Sequence, residues 1–438
     1  MSILILAFNG VELHRWKMAI ASIIAIFFID LYIFRALLSA VKEKSRFLKI
    51  VVYGAHWLVS FSMMAAALWF RLADPLNHYS VAREWITGIA LVLYTSKLIA
   101  GAVIFIHDVS RISAWLKSFL KSKPEQESEP VSEPAPIHPD APTISRSEFL
   151  MKTALVAGAV PLSLFSFGIL SGAHDYRVLK RTILLPNLPK AFDGIRIGQI
   201  SDIHAGTLYN KKAVRGGIDL LLNEKTDLIF FTGDMVNYYV REIYQYAWLF
   251  AKLKAPLGVY SVTGNHDYGD YNWWPNEDAK RNEFQEMINA HCAIGYDLLL
   301  NENRILKVDN ESLAVIGVEN WSLKRDKRYG KLDLAVKGTE DVPVKLLLSH
   351  DPTHWDAEVR VNHPEINVTF SGHTHGGQCG VEIGDARWSP SQYRFKQWAD
   401  LYQEQNQFLY VNRGFGCLGY PGRIGMPPEI TVIELKKA

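Results

Sequence analysis

The chain has 438 residues, too many for one small domain, so two or three structural units are expected. Hydrophobic residues make up 49% and charged residues 21%. The formal net charge of +2 lacks the strongly basic balance of a nucleic-acid binder, and no nucleic-acid partner is expected. The three cysteines, Cys292, Cys379 and Cys417, form no CxxC pair and are too few for a disulfide framework.

Four apolar runs open the chain. They extend from Met18 to about Leu38, Ile50 to about Phe70, Trp85 to about Ile106 and Phe149 to about Leu170. Each is long enough to cross a bilayer, which takes about 20 residues, and none alternates apolar and polar faces as a soluble amphipathic helix would. Lys42, Lys44, Arg46 and Lys49 mark the first connection, and Arg111, Lys117, Lys121, Lys123 and Arg146 the third. The second carries only Arg71 and Arg83. Positive connections stay in the cytoplasm, so everything after the fourth run is expected outside it. Asp30, Arg35, His56 and Lys97 fall inside the runs. Arg35 and Lys97 are expected to snorkel toward an interface, and no transport role is assigned to the four.

Residues 1–121 therefore read as a membrane region with three transmembrane helices. Residues 122–145, rich in Pro and Glu, read as a disordered linker that cannot bury enough apolar surface to fold. Residues 146–173 read as a fourth transmembrane helix or signal-anchor. Its start, Ser145-Arg146-Ser147-Glu148-Phe149-Leu150-Met151-Lys152, resembles a twin-arginine export signal, but Ser147 stands where the second arginine belongs.

From Tyr176 to the end the pattern becomes α/β. Central strands are predicted at Ile195–Ile200, Leu228–Phe231, Val259–Val262, Val344–Leu348 and Ile366–Phe370, with more at Phe408–Val411 and Ile430–Leu435. Helices are predicted at Lys212–Asn223 and Glu242–Leu253. Each of the five central strands runs into a metal-ligand residue type. These are Asp202 and His204, then Asp234, then Asn265-His266-Asp267, then His350, then His373 and His375. Functional groups gather at the carboxyl ends of strands in such sheets, so the five sets are expected to converge.

Carboxylate, amide and imidazole donors together suit borderline divalent ions, Mn²⁺, Fe²⁺ or Zn²⁺. Two such ions about 3.5–4 Å apart can grip a phosphoryl group and hold a hydroxide for in-line attack. The absence of thiolates from the sets argues against a structural zinc site.

In order, Asp-x-His, Gly-Asp, Gly-Asn-His-Asp, His and Gly-His-x-His resemble the motifs of the calcineurin-like metallophosphoesterases, over about Ile195 to the C-terminus. Gly376-Gly377-Gln378 and Asn412-Arg413-Gly414 resemble its bacterial membrane-anchored or exported subgroup. The resemblance implies a four-layer αββα sandwich over residues 176–438 and two divalent metal ions. It implies that Asp202, His204 and His375 hold one ion, that Asn265, His350 and His373 hold the other, and that Asp234 bridges them. It further implies that His266 is the general acid or stabilises charge on the phosphate, with Asp267 orienting its imidazole. Arg413 is a candidate contact for a substrate phosphate. Tyr271, Trp273 and Trp274 could line the cleft, and His354 could support His350.

The expected function is metal-dependent hydrolysis of a phosphate ester, a phosphodiester or phosphomonoester of a membrane-associated and possibly lipid-linked substrate. The partners are that substrate and membrane lipid, and the catalytic domain lies on the extracytoplasmic side of a multi-pass protein. The alternative is a membrane sensor or transporter with a metal-binding regulatory domain.

Overall fold

The computed structural model describes residues 2–72, 81–120, 146–384 and 386–438. The linker expected at residues 122–145 lies outside the described residues. The described residues form two units.

The first unit is built from α1 (Ser2–Ala40), α2 (Arg46–Leu72), α3 (Val81–Leu120) from Ile89 onward, and α4 (Arg146–Leu170) as far as Leu164. The long apolar segments of these helices are at most 22% buried. Phe28, Leu58, Phe61, Phe105, Ile106 and Val156 are all exposed by more than half. An apolar surface of this extent is stable against lipid, and the four segments, Trp16–Ala40, Arg46–Phe70, Ala82–Phe119 and Glu148–His174, are long enough to span it. Inside the unit Asp30 is fully buried, with Lys97 Nζ at 2.5 Å and the Tyr94 hydroxyl donating at 3.0 Å. His56 Nε2 contacts the Asp30 carbonyl at 3.1 Å. Lys97 therefore does not snorkel as expected. A charge in hydrocarbon is costly unless paired, and the buried Asp30 carboxylate supplies the partner. Arg35 keeps an exposed stem and reaches Asp108 at 3.6 Å.

The second unit holds the start of α3 through Gly88 and everything from Phe165 onward. Its strands, in chain order, are β1 (Arg177–Leu185), β2 (Arg196–Ile200), β3 (Leu228–Phe231), β4 (Val259–Ser261), β5 (Asp297–Leu298), β6 (Glu302–Val308), β7 (Glu311–Gly317), β8 (Lys345–Leu348), β9 (Val368–Ser371), β10 (Val381–Ile383), β11 (Ala386–Trp388), β12 (Asp400–Glu404), β13 (Gln407–Val411) and β14 (Glu429–Lys437). One six-stranded sheet has the order β1-β14-β2-β3-β4-β5 and the other β12-β13-β9-β8-β7-β6. β2, β3, β4 and β5 run parallel, as do β7, β8, β9 and β13. Ligand-bearing strand ends of each sheet thus fall on one edge.

Alternation along each strand divides the core into layers. Ile197, Leu228 and Phe230 join Leu346, Leu348, Val368 and Phe370 in the seam between the sheets. Ile200, Ile229 and Phe231 point the other way, into α5 (Lys211–Asn223) and α8 (Glu277–Ile294). Leu347 and Ile316 face outward from the second sheet onto Trp355, Val359, Leu332 and Ala335. The result is helix, sheet, sheet, helix, the expected αββα order. The helix predicted at Glu242–Leu253 is instead two short ones, α6 (Arg241–Tyr244) and α7 (Ala247–Phe250). The amides of Tyr246 and Leu249 each bond to the carbonyl three residues back, a tighter winding than the α-helical four.

Candidate metal centre

The five predicted sets meet at one edge of the sandwich. β2 leads through Ser201 to Asp202 and His204; β3 through Thr232 and Gly233 to Asp234. β8 ends at Ser349 and His350, and β9 at Gly372, His373 and His375. Main-chain bonds lock these loops together. The Asp202 amide donates to Gly233 O at 2.9 Å, His204 to Asp234 O at 3.1 Å, and Gly372 to His350 O at 3.0 Å. Close approach excludes side chains at two positions: a Cβ on Gly372 would lie 2.2 Å from Asp202 Oδ2, and one on Gly264 2.2 Å from Asp234 Oδ1. Asp202, His204, Asp234, His373 and His375 all have positive φ, between 44° and 69°. Non-glycine residues rarely adopt this left-handed region, and five together mark a backbone strained for the placement of side chains.

Two triads result. Asp202, His204 and His375 present ligand atoms within 4.8 Å of one another, as do Asp234, His350 and His373. His375 Nε2 lies 3.2 Å from Asp202 Oδ1. Asp234 Oδ2 links the triads, 3.4 Å from His204 Nε2 and 3.2 Å from His350 Nε2. His373 Nδ1 is 3.2 Å from His350 Nε2. Donors about 2.0–2.1 Å from a shared cation are themselves about 3.0–3.4 Å apart, which is this spacing. His350 donates its Nδ1 hydrogen to Thr232 O at 2.7 Å, which turns Nε2 toward Asp234. The donor set fits divalent cations on a second count as well. Both ring nitrogens of His204, His375 Nε2 and Asn265 Oδ1 are buried without a hydrogen bond, which costs free energy unless an ion engages them. Asn265 donates its Nδ2 hydrogen to the Tyr271 hydroxyl at 2.9 Å, which leaves Oδ1 for that purpose.

Charge follows the same geometry. Burial alone would raise the Asp202 and Asp234 carboxyls, but the facing imidazoles, His375 for Asp202 and His350 for Asp234, bring both below the ordinary range. Burial lowers His204, His373 and His375. His350 is also buried, yet Asp234 and Asp202 lift it to about 10. The cluster thus has a surplus of negative charge that a cation can balance.

His266 lies against this cluster, its ring 4.9 Å from His204 and 4.6 Å from Tyr271. Its main-chain amide donates to Asp234 Oδ1 at 2.9 Å. Burial moves its pKa down to about 4 against the pull of Asp234. The role expected of Asp267 is not what the structure shows. Its carboxylate accepts from the amides of Asp234 at 3.0 Å, Met235 at 2.9 Å and Gly264 at 2.8 Å, and so braces the loops that carry Asp234 and Asn265. The imidazole of His266 is oriented instead by the Asn237 carbonyl, which accepts from Nδ1 at 2.8 Å. Asn237 is fixed in turn by Glu242, which accepts its amide at 2.7 Å and those of Tyr238 and Tyr239 at 3.1 Å, and by Glu84, 3.3 Å from Asn237 Nδ2. Sequence reasoning missed this group because its working atom is a main-chain carbonyl.

Arg413 also departs from expectation. It is 2% exposed and held by Glu382, whose two oxygens accept from Nη1 and Nη2 at 3.1 Å each, and by Glu429 at 3.6 Å. Its Nη1 and Nη2 are taken by Glu382 rather than free for the expected phosphate contact. Arg423, which sequence reasoning passed over, is 1% exposed and donates to the carbonyls of Arg413, Gly414 and Gly416, with Nη2 3.5 Å from His375 Nδ1. Tyr271 lies at the site, whereas Trp273 is exposed and Trp274 bonds to Gly269 O. His354 bonds to Ser349 Oγ, lies 3.3 Å from Glu358 and stacks on Trp321, away from the triads.

Comparison with known proteins agrees with this geometry. Residues 195–377 match the family described as "Calcineurin-like phosphoesterase". Residues 14–173 match "Probable Calcineurin-like phosphoesterase, transmembrane domain". An uncharacterised metallophosphoesterase of Bacillus subtilis is 29% identical over 67% of this chain and 98% of its own. A transmembrane protein with metallophosphoesterase domain from Danio rerio is 28% identical over 65% of this chain and 62% of its own. A UDP-2,3-diacylglucosamine pyrophosphatase of Chlamydia trachomatis is 25% identical over 59% of this chain and 89% of its own. With its clustered candidate metal ligands, its two layered sheets and its four apolar helices, the chain belongs to the calcineurin-like metallophosphoesterases, metal-dependent hydrolases, in a form that carries a transmembrane domain.

Proposed function

We propose that the protein hydrolyses a phosphate ester of a membrane-associated substrate at a centre of two divalent ions. The observation that carries this reading is the pair of buried triads joined through Asp234 Oδ2. Asp202, His204 and His375 would hold one ion and Asn265, His350 and His373 the other, with Asp234 between them. When bound, the ions supply Lewis-acid charge to the phosphoryl oxygens and lower the pKa of water. The protein's own side chains do the rest. Because a carbonyl can only accept, the Asn237 contact places a proton on Nδ1 of His266, so that Nε2 would have to be protonated as well, in the imidazolium form, to donate to the leaving oxygen. Asp267 keeps the Asp234 and Asn265 loops in register through three amides.

The four apolar helices support a substrate that is itself in or near a bilayer, such as a phospholipid, a lipid-linked sugar nucleotide or an isoprenoid phosphate. The relative named as a UDP-2,3-diacylglucosamine pyrophosphatase supports the same class. The lysine and arginine content of the first and third connections supports an extracytoplasmic catalytic unit.

The test is a screen of the purified full-length protein with Mn²⁺ against bis-p-nitrophenyl phosphate, nucleotides and lipid phosphates. Turnover that is abolished by chelation, and lowered about 10²–10⁴-fold in His266→Ala, is expected. Stoichiometric metal without turnover of any phosphate ester would overturn the enzymatic reading in favour of a regulatory binding domain.

A further inference from the structure

A cavity of about 310 Å³ opens directly beside the second triad, with Asn265 and His373 on its inner wall. Its outer wall carries three cations from two loops, Lys324 and Lys327 on one side and Arg394 on the other. Aromatic rings connect two of them to the centre. Lys327 Nζ sits 3.7 Å from the Tyr271 centroid, and the Tyr271 hydroxyl bonds to Asn265. The Arg394 guanidinium is 5.1 Å from the Phe395 centroid, and that ring is 5.4 Å from His373. None of the three forms an ion pair among the described residues, whereas Arg181, Arg196, Arg304, Arg387 and Arg413 all do. The one carboxylate on the wall, Asp351, accepts through Oδ1 from the Thr353 amide at 2.9 Å and hydroxyl at 2.7 Å, and its Oδ2 lies 3.9 Å from His373 Nε2.

Like charges gathered around a cavity repel one another and attract anions. The charge of the phosphoryl group under attack is already matched by the two ions of the proposed centre. Three further cations against the single wall carboxylate of Asp351 exceed what a phosphodiester of one negative charge requires. We propose that Lys324, Lys327 and Arg394 form a subsite for a second phosphoryl group joined to the first, so that the preferred substrate is a diphosphate diester. This rests on the phosphoesterase reading above. In the reaction a water oxygen bonds to the phosphorus at the metal centre and the bridging P–O bond to that phosphorus breaks. The leaving phosphomonoester keeps the bridging oxygen and its electron pair, where the three cations offset the charge. The protons of water pass to products and solvent, and two phosphomonoesters result.

The experiment uses the full-length protein in detergent with Mn²⁺. Calorimetry compares the α,β-methylene analogue of a diphosphate diester with a phosphonate monoester of one charge, and bis-p-nitrophenyl phosphate turnover is followed in parallel. The wild type is expected to bind the two-phosphorus analogue at least about tenfold more tightly. K324A/K327A/R394A should lose that preference while binding the one-phosphorus phosphonate within about twofold of the wild type. K324R/K327R, which retains the charges, should keep the preference. Equal binding of the two analogues by the wild type, or an undiminished preference in the triple alanine variant, would overturn the subsite. So would a loss of phosphonate binding in that variant as large as the loss of analogue binding. Wild-type protein that binds the analogue with the expected preference yet turns over no phosphate ester would instead sink the phosphoesterase reading and leave the subsite standing.

Discussion

Arg413 shows how much a side chain's partners decide. A guanidinium near a metal cluster suits a phosphate, but Glu382 and Glu429 occupy it on both sides, and Glu429 is 1% exposed. Arg413→Ala would leave that buried carboxylate without its counter-charge, a loss on the order of 3–5 kcal/mol when a buried pair is broken from one side. The Tyr410 and Thr431 hydroxyls, each donating to Glu429 at 2.6 Å, soften the effect. The account predicts a lower apparent Tm in detergent with an unchanged KM for bis-p-nitrophenyl phosphate in the remaining folded enzyme. A raised KM at unchanged Tm would restore the role in substrate binding. The residues of the triads were legible because each follows an apolar run and belongs to a type with metal-donor chemistry. Asn237, Glu242 and Arg423 were not, since their work is done on main-chain groups that no residue type announces. Nor were the left-handed backbones of Asp202, His204, Asp234, His373 and His375, which are imposed by the loops around them.

At the scale of elements, the central strands were legible from continuous apolar runs, and their ends fall within two residues of the predicted ones. The helix at Glu242–Leu253 was misread because Ile243, Tyr246, Leu249 and Leu253 recur at spacings of three and four, which fits one helix or a chain of tight turns equally well. One polar contact between α8 and β4 runs through an imidazole. His291 is fully buried, with Nδ1 2.9 Å from Ser261 Oγ and Nε2 without a partner. Burial lowers its pKa to about 3, well below its value in an unfolded chain. The unfolded state therefore takes up the proton first. The stability that His291 contributes is complete above about pH 6.5 and is lost progressively as the pH falls toward 3. Apparent Tm should drop more steeply across that window in the wild type than in His291→Gln. Parallel curves for the two proteins would contradict the assignment.

For the whole molecule, two kinds of surface specify two environments. The membrane unit turns Phe28, Leu58, Phe105 and Ile106 outward, while the catalytic unit buries its large apolar side chains in three layers. This division was legible from run length alone. The pairing of Asp30 with Lys97 was not, because sequence spacing does not say which helices touch. The proposed sidedness rests on the charge of the connections. A β-lactamase fused after Ala438 should protect expressing bacteria from ampicillin, and failure of an expressed, membrane-inserted fusion to do so would place the catalytic unit in the cytoplasm. That result would alter the substrate class and leave the metal chemistry intact.

The central claim is that seven side chains from separate loops gather two cations around Asp234. Metal analysis of the purified full-length protein, loaded with Mn²⁺ and freed of excess, tests it most directly. The account predicts two ions per chain in the wild type and one or none in Asp234→Ala. Fewer than two ions in the folded wild type, or two retained by the Asp234→Ala variant, would contradict it.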